Sequence, residues 1–232
     1  MILGFQDARR PLQQRMIIFR DYLIRIVLPI GFVVLMSLVR IFNSFFIYRL
    51  LTDDQCLEFL WTLFPRLVIL IILIPSLRLL YLTDSSAGRR IRRKAIGHQW
   101  YWQYDIPDTP NYNSYLTEGL YRLLTTDHRM IMKKDLTTQV FVTAADVLHS
   151  WTLPTIGIKG DAVPGRVNIL RINPSRAGVF FGQCSEICGS NHSFIPIVAE
   201  CTLFNLLTCF ESGHQQRLRL LLFVYFSSAP LY

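Results

Sequence analysis

Two long apolar runs in the first third of the chain, Ile26 to Ile47 and Leu60 to Tyr81, constrain its fold more than any other feature. As helices rising about 1.5 Å per residue, each would span roughly 33 Å, against a hydrocarbon layer of about 30 Å. Buried core helices of a soluble protein are a poor alternative, because too little chain would remain to cover both. A cleaved signal peptide fails as well. Arg9, Arg10, Arg15 and Arg20 crowd the start, and no small-residue cleavage site follows the first run. A short polar turn from Arg49 to Glu58, with Asp53, Asp54 and Gln55, separates the runs. The reading is an N-terminal segment at 1–25 and a two-helix transmembrane hairpin at 26–81, with both ends of the chain on the same side of the membrane.

Composition agrees with this. Of 232 residues, 51% are apolar and 17% charged. Soluble domains carry about 25% charged residues, so neither a disordered chain nor an ordinary cytosolic globule fits. The net charge of +8 could serve nucleic acid or an anionic membrane surface. The positives flank the apolar runs, with Arg89, Arg90, Arg92, Arg93 and Lys94 following the second. That placement favours lipid headgroups and gives no nucleic-acid partner. Five cysteines in no framework spacing exclude a disulfide-stapled scaffold. Arg25 and Arg78 can snorkel to an interface. Arg40 and Arg66 sit deeper, where an arginine costs about 2.5–3.5 kcal/mol. Either they meet acidic or carbonyl groups of a large membrane partner, or mitochondrial serine codons have been read as arginine.

Past Thr83 the pattern becomes short runs rich in Val, Ile, Phe and Thr, bounded by Gly, Pro, Asn and Ser: 139–143, 167–172, 179–182 and 195–203. This spacing predicts an all-β sandwich or Greek-key barrel over 97–203, reached through a basic linker at 82–96. The tail at 204–232 matches no pattern; its apolar stretch, Leu220 to Phe226, is too short to span a bilayer.

The run from Cys184 to His192, Cys-Ser-Glu-Ile-Cys-Gly-Ser-Asn-His, carries most of the chemistry. Two thiolates four apart with an imidazole four further on select copper, zinc or iron–sulfur chemistry over magnesium or calcium. Taken alone, the Cys pair could equally form a disulfide or be two buried thiols. His149, expected at the end of a strand in Asp-Val-Leu-His-Ser-Trp, adds a second imidazole and favours a metal.

With Gly-His-Gln-Trp-Tyr-Trp at 97–102, Asp-Ala-Val-Pro-Gly-Arg at 161–166 and Cys-Ser-Glu-Ile-Cys-Gly-Ser-Asn-His-Ser-Phe at 184–194, the chain resembles subunit II of cytochrome c oxidase from Gly4 to about Glu200. The resemblance implies a cupredoxin-like barrel holding a dinuclear copper A centre. Cys184 and Cys188 would bridge two coppers, His149 and His192 would each ligate one, and Glu186 would ligate through its carbonyl. The Glu186 carboxylate would face a magnesium ion at the boundary with subunit I, which carries the haem. Ile195 stands where the family has a weak axial methionine. The centre then assembles with altered potential or stability, or a methionine codon has been read as isoleucine.

By composition the aromatics Trp100, Tyr101, Trp102 and Tyr104 read as a membrane-interface belt or barrel core. The resemblance makes Trp100 the electron-entry residue, while Tyr101 and Trp102 are read as packing residues that His98 braces. Asp105, Asp108, Asp146 and Asp161 are the candidate docking acids for basic cytochrome c, a sparse set. Glu58, a favourable residue at a helix start in any case, matches the mouth of a proton-uptake channel. The implied function is electron intake from cytochrome c, delivery to subunit I, reduction of oxygen and proton pumping. The implied location is the mitochondrial inner membrane, with the soluble domain in the intermembrane space; a bacterial plasma membrane is the alternative. The basic cluster would by itself hold that domain inside, but long domains are exported largely regardless of charge. Two rival readings are a membrane-tethered copper carrier without turnover, which needs no electron-entry aromatics, and a copper-free quinol-oxidase relative, which needs no Cys/His set.

Overall fold

The computed structural model describes residues 6–45, 53–84, 90–107 and 109–203. Among these, the first unit is helical: α1 spans Pro11–Asn43 and α2 spans Gln55–Asp84. Helix α1 therefore begins well before the apolar run at 26. Pro11, with its preset φ, starts it, and Leu12, Gln13, Gln14, Arg15 and Met16 are good helix formers. The apolar run marks what crosses the membrane and not where the helix starts. Asp54 starts α2 by accepting the Leu57 backbone N–H at 3.1 Å. The Tyr22 hydroxyl donates to the Ile71 carbonyl at 3.3 Å and ties the two helices together.

None of the most apolar window of either helix is buried. A core helix of a soluble protein would be mostly covered, so lipid or partner subunits must cover these. Pro29, Pro65 and Pro75 lie within the helices, as membrane helices tolerate. Arg40 falls in the last turn of α1, where a cation suits the helix dipole. Arg66 is exposed on α2, and neither arginine has an ion pair among the described residues.

The second unit is all β. Strands β1 (Arg90–His98), β2 (Tyr101–Asp105), β3 (Tyr112–Ser114), β5 (Thr137–Ala144) and β8 (Asn168–Ile172) form a sheet ordered β3-β2-β1-β5-β8. Strands β4 (Met130–Lys133), β10 (Pro196–Thr202) and β9 (Gly178–Gln183) form a second, and β6 (His149–Leu153) pairs with β7 (Ile158–Ala162). The four strands expected from the sequence correspond to β5, β8, β9 and β10.

Two expectations need correcting. The basic stretch at 82–96 is not linker throughout, because β1 runs from Arg90 through its last residues in the middle of the sheet. There it pairs antiparallel with β2 and in parallel with β5. Arg93, Ala95 and Gly97 point to the covered side, and two-sided pairing outweighs the charge run. His149 also opens β6 and does not close a strand.

The core holds Trp102, Tyr104, Val140, Val142, Trp151, Leu153, Ile172 and Ile197, all essentially inaccessible. The Trp151 indole N–H donates to the Tyr104 hydroxyl at 3.3 Å, so these two large side chains bury their polar atoms as a pair.

Candidate metal centre

Three segments remote in sequence meet at the metal-ligand run. They are the two-residue turn Gln99–Trp100 joining β1 to β2, the link 145–148 leading into β6, and the loop between β9 and β10. The ligand atoms of His149, Cys184 and Cys188 lie within 4.8 Å of one another, and all three residues are buried. His149 Nδ1 is 3.8 Å from Cys184 Sγ, and His192 Nδ1 is 3.5 Å from Cys188 Sγ. The Cys184 thiol donates to the Glu186 carbonyl at 3.4 Å, so that oxygen also faces the cluster. Both cysteines are free thiols, which removes the disulfide reading.

The backbone fixes these groups. The Cys184 N–H donates to the Ile195 carbonyl at 3.0 Å, and the Ser185 N–H to the Ser150 carbonyl at 3.1 Å. The second bond stitches the loop to β6 beside His149. Gly182 lets β9 approach β6, because a Cβ there would strike the Thr152 carbonyl. Gly97 does the same for the ligand ring: a Cβ would lie 2.8 Å from His149 Cδ2. Trp102 meets the His149 ring edge-on, centroids 5.9 Å apart.

Asp146 was expected on a docking surface; it is exposed, and its carboxylate also bonds the ligand ring. Its Oδ1 accepts from His149 Nε2 at 2.9 Å and from the Val147 N–H at 2.6 Å, and its Oδ2 accepts from the Gln99 N–H at 2.6 Å. Burial raises the Asp146 carboxyl, but these bonds outweigh it and hold the group below its usual value. A neutral ring donating from Nε2 leaves Nδ1 as a bare lone pair aimed at the sulfurs, the tautomer a metal requires. Burial by itself lowers the His149 pKa; its bonds to Cys184 and Asp146 more than reverse that.

The thiols split in the same way. Burial raises Cys184, yet the His149 bond and backbone donors bring it down to about 7. Burial and the neighbouring Cys184 charge push Cys188 up. Two thiolates cannot share this space without a cation between them. The cluster's two soft sulfurs and the His149 imidazole, with no carboxylate oxygen among them and His192 beside Cys188, make a donor set that fits copper.

The remaining candidates scatter. Trp100, half-buried, rests on the ligand loop: a Cβ at Gly189 would lie 3.2 Å from its indole Nε1. Tyr101 stacks on His98 at 4.7 Å and Trp102 is fully buried, as expected of packing residues. Ile195 is fully buried. Glu186 is half-exposed, without an ion pair among the described residues. Asp161 is exposed on β7 opposite Ser150, next to the site. Asp105 ends β2, four residues from Tyr101 and so about 13 Å along the strand. Asp108 lies outside the described residues. Glu58 is exposed in the first turn of α2. Sequence reasoning missed Gln99 and Gly97, whose only signal was their place in the quoted run Gly-His-Gln-Trp.

Membrane-length helices joined to a β-domain with this cluster define a membrane-anchored thiolate–imidazole metal protein. The sequence matches the family description "Cytochrome C oxidase subunit II, periplasmic domain" over residues 91–202 and "Cytochrome C oxidase subunit II, transmembrane domain" over residues 1–79. It is 45% identical over 206 residues to "Cytochrome c oxidase subunit 2" of Branchiostoma floridae, covering 85% of this chain and 90% of that one. Identity to the Branchiostoma lanceolatum protein is also 45%, covering 85% and 86%. The structure resembles that of the periplasmic domain of subunit II of cytochrome oxidase (CoxB) of Bradyrhizobium japonicum. The TM-score is 0.52 at 36% identity, covering 54% of this chain and 94% of that one. The chain belongs to the cytochrome c oxidase subunit II family. It is thus a subunit of an oxidoreductase that works with other oxidase subunits, its β-domain is cupredoxin-like, and its family implies copper A.

Proposed function

We propose that this chain is the electron intake of its oxidase, receiving single electrons from cytochrome c and handing them to the haem and copper centres of subunit I for oxygen reduction and proton pumping. One observation carries the dinuclear reading: each cysteine has its own imidazole, His149 beside Cys184 and His192 beside Cys188. Two thiol–imidazole pairs suit two metal ions better than one. Cys184, Cys188, His149 and His192 would hold the copper, which would supply one-electron transfer with little rearrangement of its surroundings. The chain supplies the rest. Asp146 holds His149 in its ligating tautomer, the Glu186 carbonyl faces Cys184, and the burial of both cysteines limits water.

Trp100 is the proposed entry point, since its indole lies against the loop between Cys188 and His192. The Glu186 carboxylate, without an ion pair among the described residues, suits a hard cation, magnesium, at the boundary with subunit I. Asp146, which bonds the His149 ring, and Asp161, opposite Ser150, are the docking acids nearest the metal ligands, Asp105 and Asp108 are further candidates, and Glu58 is the proposed mouth of proton uptake. Lipid surrounds the two helices. The proposed location is the mitochondrial inner membrane, with the copper domain in the intermembrane space.

Electron paramagnetic resonance of the purified oxidase tests this. A mixed-valence signal split by two equivalent coppers is expected; a mononuclear signal would overturn the dinuclear site and favour a copper carrier. Turnover with cytochrome c should slow as ionic strength rises, and a salt-independent rate would remove the docking acids.

A further inference from the structure

Gln99 touches two of the segments that build the metal centre, although the sequence gives it no ligand chemistry. Its backbone N–H donates to Asp146 Oδ2 at 2.6 Å, and through Asp146 reaches His149. Its side-chain amide donates to the Cys188 carbonyl at 2.8 Å, across 89 positions of sequence. The same amide lies over Gly189, where a Cβ would come within 3.2 Å. Trp100, the next residue, lies over that glycine too.

The loop carrying Cys188 needs such a tie. Its first cysteine is pinned by backbone bonds to Ile195 and, through Ser185, to β6. Cys188 shows no such backbone tie to Ile195 or β6: among the described residues its thiol meets Cys184, His149 and His192, and its carbonyl takes the Gln99 amide. We propose that Gln99 is a positioning residue, a clip that holds the Cys188 half of the metal centre against the His149 half and against Trp100. The inference rests on the copper reading above. It predicts that the amide donor, and not side-chain bulk, keeps the second thiolate in place.

The test uses the assembled oxidase carrying Gln99→Met, which keeps length but cannot donate, and Gln99→Lys, which restores a donor. Copper release to an excess of chelator is followed together with the paramagnetic spectrum. Outer-shell partners change metal affinity about 10–100-fold, so the Met variant should lose copper at least about tenfold faster, with altered hyperfine splitting, and the Lys variant should stay near the unmodified protein. An oxidase in which only the Lys variant assembles with copper supports the clip equally. Met and Lys variants that behave alike, whether both normal, both leaky or both unassembled, overturn it. Absence of copper from the unmodified oxidase would instead overturn the functional reading, and the clip with it.

Discussion

Replacing Gly97 with alanine adds one methyl group where the structure leaves room for none. The new Cβ would lie 2.8, 2.9 and 3.0 Å from Cδ2, Cγ and Cβ of His149. Carbon–carbon contacts settle near 3.5–4.0 Å, so the ring must retreat by roughly 0.7 Å. The strand cannot yield instead. Gly97 pairs with Trp102 on one side and Ala144 on the other, and its carbonyl accepts the Ala145 N–H at 3.0 Å. The ring has little freedom either, held by Asp146 at 2.9 Å with Trp102 at its edge. Overpacking of this kind costs about 1–3 kcal/mol, which the chain can absorb. The metal site cannot, because ligand distances tolerate only about 0.2 Å. The expected outcome is an oxidase that assembles but holds less than its full copper, with a lost or mononuclear paramagnetic signal. Metal analysis and electron paramagnetic resonance read this directly. Full copper with an unaltered spectrum would refute the reasoning, because it would show that His149 does not need the position the glycine protects.

Asp146→Ala should weaken copper binding about 10–100-fold in chelator competition, with Asp146→Asn intermediate because in either orientation its NH2 would face one backbone donor, that of Val147 or of Gln99; unchanged affinity would remove the orienting role. Copper affinity of the metal-free chain should rise with pH through about 7, where Cys184 sheds its proton, and keep rising because Cys188 holds its proton to higher pH. Competition titrations at pH 6 and pH 8 check this, and a flat profile would contradict thiolate ligation. Ile195→Met, a near-isosteric change at a fully buried position, should cost under about 1.5 kcal/mol, keep copper content and shift the midpoint potential. An unmoved potential would show that side chain 195 does not face the metals.

What the sequence revealed and what it hid divide along contact range. Cys184, Glu186, Cys188 and His192 were legible because one short loop carries them, and β5, β8, β9 and β10 because alternating Val, Ile and Phe between turn residues is a local signal. The Asp146–Gln99 and Gln99–Cys188 bonds join residues 47 and 89 positions apart, and nothing in a polar side chain announces a distant partner. Strand β1 was hidden for a related reason. Its pairing with β5, from Arg90↔Thr137 to Gly97↔Ala144, depends on a strand over forty residues downstream, while Arg92, Arg93 and Lys94 read locally as solvent-facing. The start of helix α1 at Pro11 was not legible in the apolar run, because hydropathy reports the solvent of a segment and not its backbone conformation.

The place of β1 decides where this molecule can be divided. Severing the chain at residue 97 would withdraw most of the strand that bridges β2–β3 on one flank and β5–β8 on the other, leaving two open sheet edges. A copper-binding fragment freed from its anchor must therefore keep the arginine-rich approach from residue 90 onward, a stretch that looks expendable and instead joins the halves of the sheet.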